Sequence, residues 1–447
     1  MRIFKTILKI VAIVAVVFAL DALATFALEP YGSKSQLMWS DYRQQDQLDL
    51  VFLGDSVSVH SFDPECIDSE LGTNSFNMST PGQMMEESFM ALKTAVKQQN
   101  AKTVVYGFEF CNAQNDEFPN PGRAFIRYKD EGDPIAFAED ALYCLTDSRC
   151  YTEKQSINWL FPWLENHVKF DISSVSKNIE MKLSGETVYD AAAVNERGWK
   201  YHGRGYGNIE SRLDYNEGSS KIYSDVYCYD GFDERKLQTL ATMCDYCKAQ
   251  GVDFVVVAPP MPVFNIFDQG NGYFDAAGQV KNLVEGHGGE YYDLNMAKPC
   301  LLNVEDTSLF ADYQHLNKNG AAATSAAFAK IMKARAAGED TSALFYTRDE
   351  YMDAHDYVDL LRVDCTVGDG AIEISADALA SSEASLEYQM LVRNDADEAW
   401  SVVYNWSDSS SFDLVVSGHG SCDVRVNVRK QGSKSEYDRY RVVSVTY

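Results

Sequence analysis

The chain has 447 residues, 46% of them hydrophobic and 12% aromatic, so it can build globular cores but is too long for a single one. Its 66 acidic and 39 basic residues give a formal net charge of −27, which by itself identifies no ligand. A surface of this charge repels phosphate backbones and no basic stripe compensates for it, so nucleic acid is excluded as an expected partner.

The first thirty residues predict a membrane anchor. Three basic residues precede an apolar run over 10–28, whose nineteen residues cover about 28 Å at helical rise, close to the hydrocarbon thickness of a bilayer. The basic flank predicts a cytoplasmic N-terminus and an extracytoplasmic remainder. The competing interpretation is a cleaved signal peptide, because ALA at 22–24 resembles a cleavage site. We favour an uncleaved, single-pass anchor over 1–30 in the cell membrane.

Asp21 is the unusual residue of this apolar run. A carboxylate inside a membrane is costly. The sequence leaves three interpretations open: the carboxyl is protonated, it lies at the outer interface, or it faces a polar group on a partner helix.

From about residue 45 the pattern alternates between strands and helices. We predict strands at 48–53, 103–108, 254–258 and 290–294, and helices at 84–98, 233–250, 276–285 and 317–335. Such alternation predicts a parallel sheet covered on both faces, with functional residues beyond the carboxyl ends of its strands. The fold class expected for 45–335 is therefore α/β. Residues 112–232 break the alternation, and we interpret them as an insertion that forms a lid, a substrate groove or a partner surface.

The character of the chain changes again after residue 335. Residues 336–360 are acidic and helical or linker-like. Six or seven short alternating runs follow over 361–447, separated by Gly, Asp and Ser clusters, and this predicts a small Ig-like β-sandwich. No nucleophile, base and carboxylate stand out there, so a spacer or a sugar-binding accessory is the expected role.

Ten cysteines are present, and none has the spacing of a metal site. Cys244 and Cys247 lie in a predicted helix, where we interpret them as small core residues. A zinc site would need a second pair or histidines at ligand spacing, so no metal and no cofactor are predicted. The sequence does not fix disulfide connectivity. Two candidate bridges, if the chain faces an oxidising space, are Cys144–Cys150 and Cys365–Cys422.

Two motifs fall where strand ends are predicted. LGDS at 53–56 places the Ser56 hydroxyl on a turn, where its own N–H can stabilise an oxyanion. In DYQHLNKNG at 312–320, Asp312 can hydrogen-bond Nδ1 of His315 and leave Nε2 free to take a proton from a serine. Alone, each motif has an ordinary alternative, a common turn in one case and an N-capping Asp with a surface His in the other. Together they predict a catalytic triad.

These blocks resemble the SGNH/GDSL hydrolase superfamily, whose first block is Gly-Asp-Ser and whose last is Asp-x-x-His. The anchor, the block VFLGDSVSVHSFDP, the phrase NMSTPGQ and the ending DYQHLN are similar to extracytoplasmic members of that superfamily. These members include the teichoic-acid D-alanylation protein and the alginate O-acetylation proteins. The resemblance covers about residues 1–335, with 112–232 only loosely matched.

The resemblance implies a three-layer α/β/α, flavodoxin-like sheet and a role for each motif residue. Ser56 would be the nucleophile, His315 the base and Asp312 its orienting carboxylate. The N–H groups of Ser56 and Gly82 would form the oxyanion hole, although turns also use glycine routinely.

The third block of the superfamily, Gly-x-Asn-Asp, is not matched. It would follow the strand at 103–108, where this chain has GFEFCN ending at Asn112. Asn112, Glu109 and Asn77 are the candidates for the space of the missing asparagine. Losing one oxyanion donor costs roughly two to three orders of magnitude in rate, which argues against efficient bulk hydrolysis and leaves slower transfer open.

Two functions follow from this pattern. The first is an acyl-ester hydrolase or O-acyltransferase acting on a cell-envelope polysaccharide or teichoic-acid-like polymer, with a membrane-bound O-acyltransferase as the implied partner. The alternative is a catalytically impaired SGNH-fold surface protein that binds polysaccharide or scaffolds such an acyltransferase. The unmatched third block favours the alternative, and the intact Ser, Asp and His favour the enzyme. Of the other histidines, we expect His60 to be structural, and His167 and His202 to line the groove of the insertion.

Overall fold

The N-terminal helix α1 (Arg2–Leu28) extends from the rest of the protein in this computed structural model. Its segment Phe4–Leu28 has a mean hydropathy of 2.6 and buries none of its most apolar window, so it is long and apolar enough to cross a membrane or to act as a signal anchor. The structure describes all residues except 1, 119–120, 129–132, 152–157, 162, 165–170, 186, 188–198, 214–230, 270, 356, 381–384 and 395–398.

The end of α1 is fixed to the insertion by hydrogen bonds. The Trp163 indole N–H donates to Asp21 Oδ1 over 2.8 Å, so a residue of the same chain supplies a polar partner for this carboxyl. The Asn178 amide donates to the carbonyls of Ala27 and Glu29. These bonds satisfy carbonyls that the end of a helix leaves without intrahelical partners.

Five parallel strands form the central sheet, and an antiparallel hairpin of two strands belongs to the insertion. In chain order the strands up to the last α/β helix are β1 (Leu50–Leu53), β2 (Ser75–Asn77), β3 (Thr103–Gly107), β4 (Trp199–Gly203), β5 (Tyr206–Ile209), β6 (Asp253–Ala258) and β7 (Glu290–Asp293). The sheet order is β2-β1-β3-β6-β7, one of the common orders of doubly wound sheets. Consecutive residues of β1 are fully buried, so both faces of the sheet are covered. The predicted parallel α/β architecture is confirmed.

The helices of this part form two packed groups. In chain order they are α2 (Lys34–Tyr42), α3 (Ser56–Ser61), α4 (Pro64–Leu71), α5 (Met85–Gln99), α6 (Cys111–Gln114), α7 (Gly122–Phe125), α8 (Pro134–Thr146), α9 (Ile172–Ser184), α10 (Glu234–Gln250), α11 (Val263–Gln269), α12 (Asn271–Gly286) and α13 (Lys318–Ala336). Helices α3, α4 and α13 pack together, and α5, α10 and α12 form the other group. Helices α6 to α9 belong to the insertion.

The C-terminal part is an antiparallel β-sandwich, as predicted. Its helix and strands are α14 (Arg348–Ala354), β8 (Val358–Gly368), β9 (Ala371–Ala380), β10 (Leu386–Arg393), β11 (Ser401–Ser407), β12 (Ser411–Val415), β13 (Ser421–Lys430) and β14 (Arg439–Thr446). One sheet has the order β11-β10-β13-β14 and the other β12-β9-β8. The predicted linker at 336–360 is more ordered than expected, because Tyr351 of α14 is buried in the α/β core and β8 begins at Val358.

The described cysteines are all thiols, so neither candidate disulfide is formed in the part of the chain that the structure describes. Cys144 and Cys150 are both buried. Cys244 and Cys247 are buried on α10, as expected for small core residues.

A buried ion cluster joins the insertion to the α/β core. Lys236 of α10 is fully buried, and its Nζ lies 2.8 Å from Glu86 Oε2 and 2.6 Å from the Glu117 carbonyl oxygen. The Arg149 guanidinium reaches the other oxygen of Glu86 at 2.6 Å. Glu86 at the start of α5 is therefore neutralised from two directions.

Replacing Lys236 by Met tests this cluster. The variant leaves the Glu86 carboxylate buried with one cation fewer, so we expect a loss of about 3 kcal/mol in the free energy of unfolding. Denaturant titration of the detergent-solubilised full chain measures it. The control Lys248→Met lies on the same helix in an exposed position and should change the free energy by less than about 0.5 kcal/mol. Equal losses in both variants would contradict the assignment.

Candidate active site

The turn after β1 presents Ser56 at the start of α3. Asp55 caps this helix, because its Oδ1 accepts the Val57 N–H over 2.9 Å. Gly54 has a φ of +145°, and a Cβ there would lie 2.1 Å from the Ser58 hydroxyl oxygen, so the position requires glycine. The Ser58 hydroxyl in turn donates to the Gly107 carbonyl at the end of β3. Helix α3 is thereby tied to the neighbouring strand, which fixes the position of Ser56.

The loop before α13 presents His315. Asp312 Oδ1 accepts the backbone N–H groups of Gln314 and His315, both over 2.8 Å, which closes a tight turn around the carboxylate. The N-cap of α13 is Asn317 and not Asp312, since Asn317 Oδ1 accepts the first free N–H groups of the helix. The Asp312 carboxylate is thus available to the imidazole.

The two motifs meet, although 259 positions separate their reactive groups. His315 Nδ1 lies 3.1 and 3.0 Å from the two carboxylate oxygens of Asp312. Because a carboxylate only accepts, Nδ1 carries the proton, and Nε2 presents its lone pair to the Ser56 hydroxyl 2.9 Å away. Burial raises the pKa of the Asp312 carboxyl, but the hydrogen bonds and charge of His315 outweigh it, so the net shift is downward. The carboxylate form is therefore favoured beside the ring.

The backbone N–H groups of Ser56 and Gly82 have no hydrogen-bond acceptor among the residues that the structure describes. Gly82 has a φ of +68°, and the Gln83 N–H donates to the Thr80 carbonyl over 2.9 Å. With Pro81 at its second position, this is the sequence of a type II turn. The Thr80 N–H reaches the Gly54 carbonyl, so the turn lies next to the serine loop.

Arg123 of α7 hydrogen-bonds to the Pro81–Gly82 turn, a contact that the sequence did not predict. Its guanidinium donates to the carbonyls of Pro81 and Gly82. The Pro81 carbonyl and the Gly82 N–H belong to one trans peptide and point in opposite directions. A cation on the carbonyl therefore both orients the N–H away from Arg123 and polarises it. No local pattern could reveal the contact, because Arg123 lies about forty positions away in an irregular insertion.

The candidates for the missing asparagine donor are already engaged. The Asn112 amide donates to Asp55 Oδ2 over 2.7 Å, which uses one of its two hydrogens. The Asn77 amide donates to the carbonyls of Ser58 and Phe62, each over 3.0 Å, and so supports the backbone. Glu109 is buried, and its Oε2 accepts the Asn112 N–H. The candidate oxyanion hole thus rests on the Ser56 and Gly82 N–H groups, with Asn112 beside them.

The buried imidazole of His60 packs against the imidazole of His315. Its ring lies edge-on to that of His315, with ring centroids 5.4 Å apart and planes at 90°. Its Nδ1–H donates to the Gly207 carbonyl of β5 over 2.5 Å. Burial lowers the pKa of His60 to about 3, and the charge of His315 adds to the effect, so the ring stays neutral near pH 7. His60 has the structural role that the sequence predicted and also connects His315 to the insertion.

His202, which the sequence placed in the groove of the insertion, contributes nothing to this geometry. His202 is exposed on β4, and its ring lies beside Tyr206. His167 lies outside the described residues. Within the described part of the chain, no cluster of three or more His, Cys, Asp or Glu side chains could hold a metal ion.

Comparison with known proteins adds no close relative. No family model matches the chain, and no curated protein matches its sequence. Among solved structures, β-glucosidase 3B from Thermotoga neapolitana is 9% identical, with 91% of this chain and 76% of that chain covered and a TM-score of 0.16. A double mutant of the Cellulomonas fimi endo-β-1,4-mannanase is also 9% identical, with 94% and 98% covered and a TM-score of 0.13. At these TM-scores the likeness supports no conclusion about fold or function.

The buried carboxyl of Glu109 makes stability depend on pH. Burial raises its pKa to about 7, and the charge of Asp55 adds to the shift. Because the folded state holds this proton more tightly than the unfolded state, stability should be full below about pH 4.5 and fall as pH rises to about 7. The change is on the order of 1–3 kcal/mol.

Thermal unfolding of the full chain between pH 4 and pH 8 measures this effect. Glu109→Gln should make the profile less steep over that window, while Glu87, whose pKa burial also raises to about 7, continues to contribute to the slope. The exposed Glu117→Gln is the matched control and should leave the slope as it is in the wild type. A slope that Glu109→Gln does not alter would contradict the assignment.

Proposed function

We propose that the chain is an extracytoplasmic, serine-dependent acyl-ester enzyme of the SGNH/GDSL type. It would act as a hydrolase or O-acyltransferase on a cell-envelope polysaccharide or teichoic-acid-like polymer. The observation that carries the proposal is the continuous hydrogen-bonded line from Asp312 through His315 to Ser56, with 2.9 Å between Nε2 and Oγ. A nucleophile, its base and the group that orients the base are the elements of serine acyl transfer.

The reaction follows from this line. Ser56 Oγ attacks the acyl carbonyl carbon while His315 Nε2 takes the hydroxyl proton, and the carbonyl electron pair moves to its oxygen. The N–H groups of Ser56 and Gly82 stabilise that oxyanion. The carbonyl re-forms as the donor alcohol leaves with the proton from His315. A sugar hydroxyl or water then attacks the acyl-enzyme by the same steps, which returns Ser56 to its free form.

The topology supports the SGNH assignment. The strand order β2-β1-β3-β6-β7 reads 2-1-3-4-5 along the sheet, the flavodoxin-like order. The serine follows the carboxyl end of β1, and Gly82 and Asn112 follow the next two strands in the chain. Doubly wound sheets bind their ligands at the carboxyl ends of the strands, which is where these residues lie.

The hydrogen bonding of Asn112, the residue that follows β3, fits slow transfer to a polymer better than rapid hydrolysis. One hydrogen of the Asn112 amide is bonded to Asp55, so this amide can offer at most its second hydrogen to an oxyanion. A weaker oxyanion hole lowers the rate of acyl-enzyme formation. The same observation favours the second candidate, a surface protein of this fold that binds polysaccharide or scaffolds a membrane-bound O-acyltransferase.

An uncleaved, single-pass anchor in the cell membrane is part of the proposal. The bond between Trp163 and Asp21, and those from Asn178 to the end of α1, integrate the helix with the insertion. Cleavage after residue 24 would remove Asp21 and leave the Trp163 indole without this acceptor. The basic residues in the first turns of α1, Arg2, Lys5 and Lys9, support a cytoplasmic N-terminus, with the remainder of the chain outside.

Labelling and turnover test the enzyme directly. The detergent-solubilised full chain is treated with a fluorophosphonate probe and with a chromogenic acetate ester. Wild type should be labelled, and Ser56→Ala and His315→Ala should each lose turnover by a factor on the order of 10⁴ or more. Ser69→Ala, an exposed serine of α4, is the control and should retain both signals. If neither substitution changes labelling or turnover, the enzyme hypothesis is excluded, and the polysaccharide-binding or scaffold protein is the candidate that stays.

A pair of glycines with the same φ of +68° tests the oxyanion turn. In Gly82→Ala the new Cβ would lie 3.3 Å from the Arg123 guanidinium, whereas in Gly72→Ala nothing lies within 4 Å of it. Both variants carry the same backbone strain, so similar losses of stability are expected. Turnover of the acetate ester should fall at least about tenfold in Gly82→Ala alone. Equal turnover in the two variants would rule out the Gly82 N–H as an oxyanion donor.

A further inference from the structure

A cavity of about 670 Å³ lies beside the last two turns of α1, apart from the triad. One wall is the helix itself, with Ala22 and Phe26. The opposite wall comes from the insertion and is aromatic: Phe125, Phe137 and Trp159. The volume is that of a small-molecule site, and long apolar chains are what such walls accommodate.

The position of the cavity is set by the bonds that fix the end of α1. Lys182 Nζ donates to the carbonyls of Phe26 and Glu29, each over 2.6 Å, on the same helix end that Asn178 caps. With α1 crossing the bilayer as proposed above, a cavity beside its last turns would lie at the height of the lipid headgroups.

The polar end of the cavity is lined by two basic and two acidic side chains. Lys182 and Arg43 both line it, together with Glu29 and Asp21. Among the residues that the structure describes, no carboxylate lies within 4 Å of the Lys182 ammonium, which is bonded only to backbone carbonyls. The Asp21 carboxylate is already bonded to Trp163. An anionic group entering here would meet an ammonium that no carboxylate of the described residues contacts directly.

The neighbouring helices carry exposed apolar side chains. Ile135 and Leu142 of α8 and Ile172 and Leu183 of α9 are each more than 60% exposed. Large apolar side chains on the surface of elements that adjoin a membrane helix are expected where those elements lie on a bilayer. The insertion is therefore suited to contact lipid around the mouth of the cavity.

We propose that this cavity binds a long-chain anionic amphiphile from the membrane, with the chain along the aromatic wall and a phosphate headgroup at Lys182 and Arg43. A diacyl phospholipid and an isoprenoid phosphate share this chemistry. The site goes beyond the acyl-transfer chemistry and does not require it. Helix α7 joins the two regions, since Phe125 lines the cavity while Arg123 holds the Pro81–Gly82 turn. An occupied cavity would thus support the oxyanion turn.

Native mass spectrometry of the full chain in detergent tests the proposal with three probes: dioleoyl phosphatidylglycerol, undecaprenyl phosphate and dioleoyl phosphatidylcholine. Binding of either anionic probe, and weaker binding of phosphatidylcholine, is expected. Which anionic probe binds more tightly identifies the source of the ligand. Phosphatidylcholine binding as tight as the anionic probes would overturn the proposal.

Two matched pairs locate the binding. Ala22→Trp fills the cavity and should weaken binding of the anionic probe about tenfold. Leu23→Trp places the same side chain at an exposed position of the same helix and should leave binding unchanged. Lys182→Met should weaken binding of the anionic probe about fivefold, and the exposed Lys177→Met should leave it unchanged. Equal binding within either pair would overturn the site.

The Ser56→Ala protein keeps this test separate from the proposed enzyme activity. It should bind lipid as the wild type does, whether or not Ser56 is a nucleophile. Unchanged circular dichroism of Ala22→Trp shows that its loss of lipid is not a loss of fold. A variant that does unfold is replaced by Thr25→Leu, which fills the same wall with a smaller side chain and should show the same direction of change.

Discussion

The hydrogen bond between the Ser56 hydroxyl and Nε2 of His315 is the constraint on which the rest of the site depends. Its two partners come from opposite ends of the α/β domain, and each is held by its own local device. On the serine side, a glycine with positive φ and a capping aspartate set the turn after β1. On the histidine side, a carboxylate three residues earlier closes a turn and binds the ring. The sheet brings these two rigid turns together.

The insertion supports the site from several directions. Arg123 holds the Pro81–Gly82 turn, and the Gly207 carbonyl holds the ring that packs against His315. Trp163 reaches Asp21 on the apolar N-terminal helix. The sequence suggested a lid, a substrate groove or a partner surface for this segment. The described contacts connect it instead to α1, to the Pro81–Gly82 turn and, through His60, to His315.

Local patterns in the sequence predicted much of the fold. Apolar runs bounded by turn residues mark the strands, and short alternating runs mark the C-terminal sandwich. The pairing of Asp312 with His315 follows from a spacing of three residues, and the turn at Ser56 from a glycine and an acidic cap. Helix α14 was missed as part of the core, because the burial of Tyr351 depends on surfaces far away in the chain.

Contacts between distant positions left no such pattern. Arg123 and the Pro81–Gly82 turn are about forty positions apart in the sequence, and Trp163 and Asp21 are 142 apart. Separations of this size do not correspond to the repeat of a helix or a strand. The sequence showed that the asparagine donor of the third block is missing, but not that the Asn112 amide is bonded to Asp55. Side-chain partners of this kind are decided by tertiary packing, which a single sequence does not display.

The central claim is that Ser56 becomes acylated. Rapid quenching of the full chain with p-nitrophenyl acetate, followed by proteolysis and peptide mass spectrometry, measures where the acetyl group resides. The account predicts one acetyl group on the peptide that contains Ser56, its absence in Ser56→Ala, and its persistence when deacylation is slow. Acetylation confined to surface lysines, with the Ser56 peptide unmodified at every time point, would contradict it.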